Sequence, residues 1–172
     1  TAIKKILNKH PDWRAKVIGD EKREKIELKH KSADILGFKK HQDVLSIFKK
    51  TSIAVACSRW EEPFGRTSLE AAANGCAVVI TNKGGLPETV TDAKILKKLN
   101  SKSLIKTLDY LIKNNLVRKK LQHLSIQNFY LTHVFVTKAI DKYRSEKLSF
   151  LKKINLKKNF KNLRILHITN FN

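Results

Sequence analysis

Two unbroken apolar runs, "SIAVAC" at 52–57 and "AVVIT" at 77–81, constrain this chain more than any other feature. Neither alternates polar with apolar residues, so neither reads as a strand with one wet face. Runs of this kind belong to strands covered on both faces of a parallel sheet. Parallel neighbours need a crossover, and residues 58–76 between the runs are long enough to hold a helix. Gly75 suits the left-handed position that ends such a helix.

The same alternation extends in both directions. Ala2, Ile3, Ile6 and Leu7 share one face of a helix over 2–9, which Pro11 and Asp12 break. "WRAKVIG" (13–19) and "ADILGF" (33–38) read as strands, with a charged, exposed stretch at 20–32 between them. Residues 41–50 predict a helix with Val44, Leu45, Ile47 and Phe48 inward, and 94–99 a weaker strand. Three-and-four spacing predicts helices near 101–114, 116–130 and 133–147. Short βα units in this order predict an α/β fold, a doubly wound parallel sheet of the Rossmann-like kind. Ligands of such sheets bind beyond the carboxyl ends of the strands, where the loops after Cys57 and Thr81 must lie.

Residues 1–148 read as one domain, 149–162 as a basic linker, and 163–172 as an isolated strand. That strand either pairs with the edge of the main sheet or opens a further domain. The chain has no Met and begins directly on a helical pattern, so a piece of a longer protein is expected. No signal peptide and no membrane-length apolar run is present. Cys57 and Cys76 lack metal or redox spacing, and in parallel strands they fall at opposite ends of the sheet. A reducing cytoplasm fits them.

The net charge of +21 raises a nucleic-acid partner as one reading. Its basic residues are 29 Lys against 7 Arg, whereas base readers and phosphate clamps favour the planar fork of Arg. No basic helix with interleaved aromatics occurs, so a nucleic-acid-binding module is carried only as the alternative. A solvated lysine surface is preferred, and it suits peripheral contact with an anionic membrane at its inner face.

The loop "EEPFGRTSLE" (61–70) holds the chemistry. Gly65 allows close approach of a ligand, and a helix opening near Thr67 presents unpaired N–H groups and a positive dipole. That combination suits a diphosphate, with Arg66 at its rim. Gly84 and Gly85, before Pro87, read as a second anion cradle on the neighbouring strand. Among such turns Glu62 and Glu70 are best used on sugar and ribose hydroxyls. A competing structural reading makes Thr67-x-x-Glu70 a capping box, Glu62 a solvated loop acid and Glu88 a first-turn acid that complements the dipole.

The stretch 58–90, "SRWEEPFGRTSLEAAANGCAVVITNKGGLPETV", resembles the donor-binding core of retaining GT-B glycosyltransferases of the GT4 type (glycosyl transferases group 1). Glu62 and Glu70 match the family's Glu-x7-Glu pair, and the "EPFG", "EAAANG" and "GGLPE" segments stand in register. The resemblance covers roughly residues 1–148 as the C-terminal domain of that fold. It implies transfer of a sugar from a nucleoside-diphosphate sugar, with retention of configuration, to a glycan or lipid-linked acceptor in cell-envelope polysaccharide synthesis.

By the same resemblance Glu62 contacts the transferred sugar and is the catalytic candidate, while Glu70 holds the ribose. Phe64, Gly65, Arg66 and Thr67 line the sugar and diphosphate. Gly84, Gly85 and Glu88 complete the wall, and Gly37 and Phe38 are candidates for the base. No cofactor and no bound metal ion is implied. The family's first strand of this domain, and an N-terminal acceptor domain, would precede Thr1, so the segment alone is expected to be inactive. The tail "RILHITN" resembles the first strand of another such N-terminal domain. A GT-B sugar-nucleotide epimerase is the remaining alternative, disfavoured by the Glu-x7-Glu pair.

Overall fold

The structure, a computed structural model, describes residues 2–19 and 28–153. The chain divides into two compact units, Thr1–Tyr130 and Leu131–Asn172. In the first, the order is α1 (Ala2–Lys9), β1 (Ala15–Ile18), β2 (Ala33–Gly37), α2 (His41–Phe48), β3 (Ile53–Ala56), α3 (Arg66–Ala73), β4 (Ala77–Thr81), α4 (Leu86–Thr89), β5 (Lys94–Leu96), α5 (Ser101–Lys113) and α6 (Asn115–Gln127). The second unit contributes α7 (His133–Lys153). That helix runs into the stretch expected to be a linker; 154–162 and the strand expected at 163–172 lie outside the described residues. So do residues 20–27, while Leu28, within the stretch 20–32 expected to be exposed, is buried.

Among the described residues all strand pairings are parallel. Strand β3 pairs with β4 from Ile53↔Ala77 to Ala56↔Ile80, and β4 pairs with β5 from Val79↔Lys94 to Thr81↔Leu96. Strands β1 and β2 form a separate ladder, Ala15↔Ala33 to Ile18↔Gly37. The single sheet expected from the sequence is therefore two ladders among the described residues.

The consequence is visible on β3. Val55 is 40% exposed despite its apolar run, because among the described residues β3 has a ladder partner only on its β4 side. The expectation that this strand is covered on both faces is corrected there. Strand β4, flanked on both sides, is buried at every residue.

Strand β4 also explains the two-sided core. Successive strand residues face opposite ways, so Val78 and Ile80 enter one cluster with Phe48, Ala71, Ala72 and Leu86. Val79 enters the other, with Ile6, Leu96, Leu108 and Leu111. Helices α2 and α3 thus cover one face, and α1 and α5 the other.

Local sequence sets the helix ends. The Asn100 side chain accepts the Ser103 amide at 2.8 Å and caps α5. At the far end, the Arg118 guanidinium donates to the Leu111 and Ile112 carbonyls at 2.8 and 3.0 Å, satisfying acceptors that a helix terminus leaves open. Gly75, at φ 78, follows α3 as anticipated. Cys57 and Cys76 are both free, and the β3–β4 register puts them at opposite ends of the pair.

Candidate functional site

The loop after β3 and the loop after β4 emerge at the same end of a parallel pair, and a network of short bonds joins them. The Thr81 hydroxyl accepts from the Ser58 amide and donates to the Ser58 carbonyl, both at 2.9 Å, fixing where the first loop departs. Ser58 Oγ then closes a tight turn with the Trp60 backbone at 3.0 Å in both directions. Trp60 itself is 81% exposed.

Further along, Glu61 reaches across to the second loop. Its carboxylate pairs with Lys83 Nζ at 2.7 Å and accepts the Gly84 amide at 2.6 Å. The Lys83 hydrogen bond, with help from the Gly84 amide, holds this carboxyl below its ordinary range. The Gly85 amide donates to the Glu62 carbonyl at 2.7 Å. The Gly84-Gly85 turn was expected to offer its amides to an anion; in the structure both are engaged by the facing loop. Sequence reasoning missed Glu61 and Lys83, because nothing in their local pattern shows that they face each other.

These glycines are required by proximity. A Cβ on Gly84 would fall on the Glu62 backbone, and one on Gly85 would lie 2.8 Å from the Pro63 carbonyl oxygen. Gly65, at φ 87, could carry a Cβ only 2.7 Å from Leu86. Buried Ser68 donates to the Gly65 carbonyl at 2.6 Å and meets the Thr89 hydroxyl at 2.9 Å, joining α3 to α4.

Helix α3 begins one residue earlier than expected, with left-handed Gly65 as its N-cap and no side-chain cap. Its first-turn amides, including those of Arg66 and Thr67, have no intrahelical acceptor and point out of the helix start. Here lies the anion-friendly turn of the site. Glu70 does not reach back to Thr67, so the capping box is not formed. Its Oε1 instead accepts from Arg66 Nε at 2.7 Å and from His41 Nε2 at 2.9 Å. Because a carboxylate can only accept, Nε2 of His41 carries the proton. The Glu70 side chain is 18% exposed.

Glu62 is half-buried, and its carboxylate has no hydrogen bond or ion pair among the described residues. Phe64 is exposed beside it. Glu88 is exposed in the first turn of α4, with its carbonyl accepting from Tyr130 Oη at 2.9 Å. Gly37, at φ 59, ends β2, and the next residue, Phe38, is 79% exposed. His41 follows Phe38 by three residues, so the hydrogen bond from His41 to Glu70 holds the Gly37–Phe38 loop within about 11 Å of a residue touching that acid. Among the described residues, no three His, Cys, Asp or Glu side chains converge into a metal-sized group, and no helix is long and apolar enough to cross a membrane.

Comparison with known proteins gives a consistent family. The model of the family described as "Glycosyl transferases group 1" matches residues 1–128. Spore coat protein SA of Bacillus subtilis is 29% identical over 106 residues, 54% of this chain and 28% of that protein. The C-terminal domain of a glycosyl transferase group 1 family protein, LpcC of Francisella tularensis, is 28% identical with a TM-score of 0.60, covering 73% of this chain and 72% of that one. Anabaena HepE, crystallised with UDP and glucose, has a TM-score of 0.64 at 20% identity, over 84% of this chain and 44% of that one. This chain thus spans less than half the length of the spore coat protein and of HepE. The fold is the C-terminal, Rossmann-like half of a GT-B glycosyltransferase.

Proposed function

This chain belongs to the glycosyl transferases group 1 family, and on that premise we propose that it is the donor-binding half of an enzyme moving a sugar from a nucleoside-diphosphate sugar to a glycan or lipid-linked acceptor. The observation that carries the reading is the pairing of an uncapped helix start at Gly65 with two acids that do not serve as its cap. An uncapped first turn attracts a diphosphate, and it stabilises the charge that develops as the diphosphate departs. Glu62, whose carboxylate has no partner among the described residues, is left to accept hydroxyls of the transferred sugar. Glu70, with Oε1 already occupied, offers Oε2 to the ribose diol.

The surrounding roles follow. Backbone groups of Phe64, Gly65, Arg66 and Thr67 line the sugar and diphosphate. Gly84, Gly85 and Glu88 form the wall, with the Gly84 and Gly85 amides acting through the loop they brace. Gly37 and Phe38 border the base, an exposed aromatic ring being a fit surface for stacking. The reaction is of the GT4 type, retains anomeric configuration and runs without a metal ion, helix amides and fixed donors taking the leaving-group charge. Turnover needs an acceptor domain in addition to this segment, and the lysine-rich surface suits an acceptor held at an anionic membrane on the cytoplasmic side. UDP complexes of the similar Anabaena protein support a nucleotide as ligand.

Calorimetry on the full-length protein tests the reading. Glu70→Ala is expected to weaken UDP, GDP or ADP binding at least tenfold, as loss of a hydrogen bond to a charged group does. Glu62→Ala is expected to leave nucleotide affinity within about threefold while abolishing transfer. Unchanged nucleotide affinity in Glu70→Ala would remove the ribose role.

A further inference from the structure

The geometry points to His41 as a positioning residue that sets the specificity of Glu70 for the ribose, an inference that rests on the ribose role proposed above. Two donors converge on one oxygen of Glu70: Arg66 Nε from one turn earlier on α3, and His41 Nε2 from the first residue of α2. They are not equivalent. Arg66 stands four residues before Glu70 on the same helix, so its contact follows from helical spacing alone and travels with the helix. His41 comes from another element, twenty-nine residues away in sequence. Only its contact fixes the carboxylate relative to the end of β2.

The consequence is directional. With both donors on Oε1, the carboxylate plane is held and Oε2, which has no partner among the described residues, becomes the oxygen presented to a ligand. A carboxylate oxygen has room for more than one donor, so the 2′ and 3′ hydroxyls of one ribose fit it. Without His41 the carboxylate can swing about the Arg66 contact, and the second oxygen loses its fixed bearing. His41 also starts the helix that follows the Gly37–Phe38 turn, so one hydrogen bond ties the ribose acid to the loop assigned to the base. Ribose and base recognition are thereby coupled through a single imidazole.

His41 is 52% exposed and packs into neither core cluster, so replacing it leaves the fold intact. The test is a cycle between protein and ligand, using the full-length protein with UDP and 2′-deoxy-UDP, or the GDP or ADP pair where that nucleotide binds more tightly. In the parent protein the deoxy ligand is expected to bind about tenfold more weakly. In His41→Ala, affinity for the ribonucleotide falls about fivefold and the gap between the two ligands shrinks below threefold. His41→Gln, whose side-chain amide supplies an N–H, regains most of the gap. An undiminished gap in His41→Ala overturns the inference while leaving the ribose role of Glu70 in place. A parent protein that binds both ligands equally, or binds none of the three nucleotides, overturns the ribose role and this inference with it.

Discussion

Gly84 lies against Glu62 so closely that a single added carbon would occupy the Glu62 backbone. The contact joins the loop after β4 to the loop after β3, and it is reinforced by the Gly85 amide on the Glu62 carbonyl at 2.7 Å. The position of the Glu62 carboxylate, unpartnered among the described residues, therefore depends on a residue with no side chain.

Gly84→Ala is expected to separate the loops. Gly84 has φ 51, where an L side chain is strained even in open space, and here the space is already filled by backbone. A loss on the order of 3 kcal/mol is expected from strain and displacement together. Urea denaturation of Gly84→Ala would measure it, and a midpoint equal to the parent's would show that the loops are not in contact.

Glu61 should titrate below the ordinary range for a glutamate. Its carboxylate is held down by Lys83 and by the Gly84 amide, so the clamp stands at neutral pH and is lost as pH falls through the depressed value. The Gly84 amide resonance, followed by NMR, is expected to shift with a midpoint below about 4.3, the unperturbed value. Lys83→Ala should move that midpoint upward. An unmoved midpoint would mean that Lys83 does not set it.

Asp109 supports the junction of α1 with α5. It accepts from His10 Nε2 at 2.8 Å and pairs with Lys9 at 3.0 Å and Lys113 at 3.2 Å. The His10 hydrogen bond, followed by that of Lys9, drives its carboxyl far below the usual aspartate range. A depressed folded value means stability fully present above the unfolded pKa of about 3.9 and lost as pH falls through the folded one. Asp109→Asn should lower the denaturation midpoint at pH 7 and approach the parent's stability in strong acid. Parallel curves at both pH values would remove Asp109 from the acid response.

The βα order, the buried run of β4, Gly75 after α3 and the placement of both acids beside a helix start were all legible in the residues. Each rests on local covalent rules: strand and helix period, glycine's left-handed freedom, and the need of apolar runs for cover. Two readings from the same rules failed for a shared reason. The spacing Thr67-x-x-Glu70 permits a capping box, but the helix starts at Arg66 and Glu70 finds better donors in Arg66 and His41. The Gly84-Gly85 pair permits an anion cradle, but Glu61 and the Glu62 carbonyl already use its amides. A short motif states what a backbone can offer and says nothing about which neighbour arrives first.

By itself the amino-acid order determined that this is a parallel α/β protein in which the loops after two neighbouring strands emerge at the same end. The periodicity of hydrophobic residues is a property of the chain, and burial of apolar surface converts it directly into layers. Only the tertiary structure decided which partners the loop groups take: His41 on Glu70, Glu61 on Lys83 and Gly84, and none for the Glu62 carboxylate among the described residues. Hydrogen bonds and ion pairs act over a few ångströms between residues twenty or more positions apart. Their pairing is set by how the strands bring the loops together, which no local pattern encodes.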